Sequence, residues 1–65
     1  MNQFFRLMRE AIDKAKENGR CYYVYEDTGG LKLSDTWQKD YLFQAYPGGR
    51  KILSIKGAEM AGFEK

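Results

Sequence analysis

The chain has 65 residues, of which 43% are hydrophobic and 15% aromatic, and a formal net charge of +2 from eleven basic and nine acidic side chains. That length allows one domain, and a charge so nearly balanced does not by itself point to a nucleic-acid partner. One cysteine and no histidine exclude an intrachain disulfide and leave no zinc-ligand spacing, so an aromatic core or association must supply the stability that staples give other small domains.

The first segment predicts a helix over residues 2–18. Phe4, Leu7, Met8, Ala11, Ile12 and Ala15 follow the i, i+3, i+4, i+7 spacing of one apolar face, with Phe5 at its edge and Arg6, Arg9, Glu10, Asp13 and Glu17 opposite. Asn2 is the candidate N-cap, and Asn18-Gly19 is a stop because glycine enters the left-handed region without a Cβ penalty. This start is no secretory signal, since charges interrupt its apolar residues and no small-residue cleavage site follows. No apolar run approaches the ~20 residues that cross a membrane. A lone cysteine without an export signal fits a reducing, cytoplasmic setting.

Four strands are expected next. RCYYVYE (20–26) and LKLS (31–34) flank the turn at 27–30, and YLFQAY (41–46) and RKILSIK (50–56) flank Pro47-Gly48-Gly49; both have the composition of hairpins. The polar connection DTWQKD (35–40) contains the single tryptophan, Trp37. Reading both turns as three-residue loops with a left-handed third glycine pairs Tyr46 with Arg50, Phe43 with Leu53, Tyr25 with Leu31 and Tyr23 with Leu33. One face then collects Cys21, Tyr23, Tyr25, Leu31, Leu33, Tyr41, Phe43, Ala45, Leu53 and Ile55, which fits a core face against the helix. The expected fold is α+β, a helix on one face of a four-stranded antiparallel meander in the order 1-2-3-4, with the domain at 1–57 and a weakly patterned tail at 58–65.

No stretch carries chemistry by its pattern. Pro47-Gly48-Gly49-Arg50-Lys51 has phosphate-loop composition, but a strand follows it where a helix N-terminus is needed. Cys21, Ser34, Thr36 and Ser54 lack any histidine to activate them, and Cys21 falls on the expected core face, where a small apolar thiol is ordinary. Glu26, Asp27, Asp35 and Asp40 lie at strand ends and in loops. Neither catalysis nor a cofactor or metal is expected. The order of a helix and then antiparallel strands resembles the opening of double-stranded-RNA-binding domains, but the basic cluster of that family's second long helix has no counterpart in GAEMAGFEK, and no residue role carries over.

What the pattern does single out is the side of the sheet away from the helix. There the expected register places Tyr22, Val24, Leu42, Tyr46 and Ile52 beside Lys32 and Arg50, five apolar or aromatic residues that make a larger patch than a monomer usually exposes, with Tyr22, Leu42, Tyr46 and Ile52 as the anchors. Trp37 either caps the core or anchors a partner. The expectation is a small non-catalytic module that binds a protein partner, or a second copy of itself, through this face. The alternative is a single-stranded nucleic-acid module, with Tyr22 and Tyr46 stacking on bases and Lys32, Arg50, Lys51 and Lys56 meeting phosphates.

Overall fold

A computed structural model describes residues 3–62. The fold is α+β: a helix, four strands in one antiparallel sheet and a short second helix. Helix α1 spans Gln3–Asn18; the candidate cap Asn2 lies outside the described residues. The helix ends as expected, with Gly19 left-handed at φ 69° and its N–H donating to the Ala15 carbonyl at 2.9 Å. Phe4, Ala11 and Ala15 are buried, and the two alanines let the helix backbone approach the sheet closely.

The strands are β1 (Tyr22–Asp27), β2 (Gly30–Ser34), β3 (Phe43–Ala45) and β4 (Lys51–Leu53). Their spatial order is β2-β1-β3-β4, which corrects the expected 1-2-3-4 meander. The physical reason is visible in β1. Val24 and Tyr23 point to opposite faces and both are buried, at 0% and 7% exposure, so β1 needs a neighbour on each side and cover on each face. A meander would leave this aromatic strand at an edge. β2, with a glycine, a serine and the exposed Lys32, is better suited to an edge. The chain therefore crosses over β1 between β2 and β3, and the connection at 35–42 runs along the face of β1 opposite the helices, over Tyr23.

The two turns differ. Pro47-Gly48-Gly49 forms as expected: Gly49 takes φ 99°, its N–H donates to Tyr46, and Tyr46 N–H donates to Arg50 at 2.8 Å. Phe43 pairs with Leu53 and Ala45 with Lys51. In the first hairpin the left-handed glycine is Gly30, at φ 123°, not Gly29. The loop shrinks to Thr28-Gly29, closed by an Asp27 carboxylate that accepts the Thr28 N–H at 2.7 Å. Val24 now pairs with Leu33 and Tyr25 with Lys32. A one-residue slip turns every side chain of one strand to the other face, so β1 is inverted relative to expectation. Tyr22 and Val24 face the helix together with Leu31, Leu33, Phe43, Ala45 and Leu53.

The C-terminal segment is also more ordered than its pattern suggests. Strand β4 stops at Leu53, and α2 occupies Ile55–Ala61, so the packed domain extends past the expected boundary at 57. Ser54 decides this: its hydroxyl accepts the Gly57 N–H at 2.9 Å as an N-cap and donates to the Leu42 carbonyl at 3.2 Å. Capping outweighs β-propensity here. Gly62, left-handed at φ 81°, closes the other end. Ile55, expected in the core, is 84% exposed on the first turn of α2, while Met60 and Ala61 pack on the core. Both helices thus cover one face of the sheet, and the Lys56–Glu26 ion pair at 3.4 Å ties α2 to β1.

Candidate functional site

The face opposite the helices carries Tyr23, Tyr25, Lys32, Ser34, Gln44 and Ile52, as the pairings Tyr23–Ser34, Tyr25–Lys32, Tyr23–Gln44 and Gln44–Ile52 require. It is not bare. The crossover connection places Trp37 and Tyr41 against Tyr23. The ring centroids of Tyr23 and Trp37 stand 5.6 Å apart at 89°, those of Trp37 and Tyr41 5.6 Å apart at 66°, and those of Tyr23 and Tyr41 5.9 Å apart at 58°. The two contacts of Trp37 are edge-to-face, an arrangement that sets the positive ring edge against the negative ring face, and the Tyr23–Tyr41 pair is tilted.

This cluster is layered. Tyr23 is at its base, and its hydroxyl accepts a hydrogen bond from Gln44 Nε2 at 3.3 Å. Burial, then the neighbouring Cys21, Tyr46 and Tyr41, push the Tyr23 phenol above its ordinary pKa. Trp37 is at the top and remains 61% exposed despite two ring contacts. It therefore covers Tyr23 and presents most of its own surface outward. Beyond Ala45 the alternation brings Tyr46 to the same side, with the Arg50 guanidinium 4.4 Å above its ring centroid, a cation–π pair.

Charges mark the two ends of this region. At one, Arg20 and Asp35 form a 2.7 Å ion pair that fastens the start of the crossover to the entry of β1. At the other, Glu26, Asp27 and Asp40 share a polar cleft of about 400 Å³ with Lys39, Gln38 and Tyr25. Three of the four carboxylates singled out from the sequence thus meet, and Asp35 does not join them.

The anchors expected on this surface separate into two groups. Trp37, Lys32, Tyr46, Arg50 and Ile52 are on it. Tyr22 is not: it faces the helix side, where its hydroxyl accepts from Asn18 Nδ2 at 2.8 Å. Leu42 is not available either, at 1% exposure. Its N–H donates to Val24 and its carbonyl accepts from Ser54, and α2 closes over it through Gly57, where any Cβ would collide with the Leu42 carbonyl oxygen. Tyr23, Tyr25 and Tyr41 take their places. Tyr23 and Tyr25 come from the YYVY run, whose two faces are exchanged relative to expectation because the first turn is one residue tighter than it looks; Tyr41 lies in the crossover connection, where no periodicity marks it.

Among the described residues no helix is long and apolar enough to cross a membrane, and no group of three or more His, Cys, Asp or Glu could hold a metal ion. Compared with protein-family models, curated proteins and solved structures, the chain matches none.

Proposed function

We propose that the protein is a small non-catalytic interaction module that binds a protein partner, with a second copy of the chain as the simplest such partner, through the aromatic face built by Trp37, Tyr41, Tyr46 and Arg50. The observation that supports this is the exposure of Trp37 on a fixed aromatic base. Trp, Tyr and Arg are the residues that dominate binding energy in protein interfaces. A ring already held by its neighbours gives up little freedom on docking. The partner is met in a reducing, cytoplasmic setting, in keeping with the single cysteine.

The nucleic-acid alternative loses ground on two rings. Tyr22 faces the helix, and Arg50 already covers one face of the Tyr46 ring.

Trp37 is the only tryptophan, so its fluorescence reports on the site directly. Docking should shift its emission to the blue, in proportion to a dimer seen by sedimentation if the partner is a second copy. For any other protein, affinity capture with wild-type and Trp37→Ala baits should recover a partner with the first and lose it with the second. Equal recovery by a folded Trp37→Ala bait would sink the proposal. So would Trp37 quenching by single-stranded oligonucleotides that weakens steeply with salt, in favour of a nucleic-acid ligand.

A further inference from the structure

A second surface lies on the other side of the sheet, where α1 and the edge strand β4 leave an open apolar groove of about 460 Å³. Phe5 and Ile12 wall it from the helix, and Phe43 and Leu53 from the sheet. Arg9 and Lys51, both exposed, stand on its rim, and among the described residues no carboxylate lines it. Lys16 follows Ile12 by four positions on the same helix ridge and extends the positive flank. The groove also runs beside backbone. Tyr46 N–H bonds to Arg50 and Ser54 N–H to Leu42, so residues 50, 52 and 54 direct their main-chain groups at β3. Antiparallel alternation then turns the N–H and C=O groups of Lys51 and Leu53 to the open edge of the sheet.

We infer that this edge and groove take an extended acidic peptide segment of a partner, which adds as a fifth strand against β4. Strand addition supplies main-chain hydrogen bonds, and alternate side chains supply the specificity. Residues of the incoming strand on the helix side lie next to Lys51 and Leu53. An apolar residue beside Leu53 enters the groove toward Phe5 and Ile12. An acidic residue two positions away meets Lys51 and Arg9 as a cross-strand opposite-charge pair. The charge pattern selects against a second copy, because pairing two β4 edges would align Arg9 and Lys51 of both chains along one seam. It also separates this surface from the aromatic face, which lies across the sheet.

The test uses the full chain, 15N-labelled, titrated with a synthetic peptide of about eight residues with threonine at every second position and valine and glutamate taking turns at the positions between (Val-Thr-Glu-Thr, repeated), so that both fall on one face, long enough to span the edge. The amides of Lys51, Leu53 and Ile12 should shift, while those of Tyr25 and Lys32 stay in place. Lys51→Glu and Arg9→Glu, both at exposed positions that leave the fold intact, should each weaken binding by about tenfold. The same peptide with lysine in place of glutamate should not bind, and N-methylation of the alternate amides that face β4 should abolish binding. The inference is overturned if the groove amides do not move at millimolar peptide. It is equally overturned if the charge-reversed variants or the N-methylated peptide bind as the originals do. A failure confined to this edge leaves Trp37 fluorescence unaffected and so does not bear on the aromatic face.

Discussion

Val24 and Tyr23 are neighbours on the central strand, and both are buried, but by different means. Val24 is enclosed by α1 and α2 in an apolar cluster with Phe4, Ala11, Leu42, Phe43 and Ala45. Tyr23 is enclosed by an irregular connection, two aromatic rings and the amide of Gln44. The first side has the features of a core: regular elements, small residues at the closest approach and, among the described residues, no buried polar side chain. The second keeps a hydroxyl, an amide and a largely exposed indole in contact. The difference divides the labour: the helix side holds the fold, and the crossover side presents a pre-arranged surface at little cost to stability.

The sharpest way to break that division is to compare Leu42 with Trp37, two large residues from the same crossover region. Leu42→Ala empties a fully enclosed site and should cost about 2–5 kcal/mol. A single core of this size supplies only about 3–5 kcal/mol in all. Thermal or urea melts should therefore show the Leu42→Ala chain barely folded at 25 °C. Were it as stable as the wild type, the helix side would not be the source of stability.

Gly57 gives the next largest effect, and its sign is the informative part. In an exposed helix, glycine to alanine gains up to about 1 kcal/mol. Here a Cβ would run into the Leu42 carbonyl and crowd the Leu53 side chain at 3.1 Å. Gly57→Ala should thus destabilise by about 1–3 kcal/mol. Measured stabilisation would mean that α2 does not close flush on Leu42.

These two residues also show how much of the fold was legible. The amphipathic spacing of α1, its glycine stop and the Pro47-Gly48-Gly49 hairpin were readable because each is decided within a few residues. The strand order was not, because it depends on the length of the 35–42 connection and on β1 requiring neighbours on both sides. The register of the first hairpin turned on which of two consecutive glycines is left-handed, and Gly29 and Gly30 are equivalent to local rules. Tyr22 falls on the outer face in the expected register for that reason, and Leu42 does so because 50–56 reads as one continuous strand, in which the helix cap at Ser54 leaves no mark. The aromatic character of the outer face was legible. Its membership was not.

On the crossover side the effects should be smaller in stability and larger in binding. Trp37→Ala removes two ring contacts from a residue that remains mostly in water, for a cost of about 1 kcal/mol. The Arg20–Asp35 pair, with both side chains more than a third exposed, should contribute less still, under about 1 kcal/mol, and should fade with added salt. A melt of Arg20→Ala at low and high ionic strength measures it, and a loss as large as that of Leu42→Ala would mean the crossover is part of the core after all.

The smallest effect is in pH and probes the base of the aromatic cluster alone. The phenol of Tyr23 has its pKa raised above the ordinary 10.0, chiefly by burial. The folded chain therefore holds that proton at a pH where the unfolded chain has released it. The stability this gives is fully present below about pH 10, the ordinary value, and is lost as pH rises through the folded pKa. Lysines titrate in the same range, so the wild type alone would not isolate the effect. Tyr23→Phe does, because it has the ring without the ionisable group, and the lysine contribution cancels in the difference between the two. The gap in unfolding free energy between wild type and Tyr23→Phe should be flat from neutral pH to about pH 9 and should then move against the wild type. A gap that stays constant to higher pH would mean that water reaches the Tyr23 hydroxyl, and that the crossover does not seal the strand it covers.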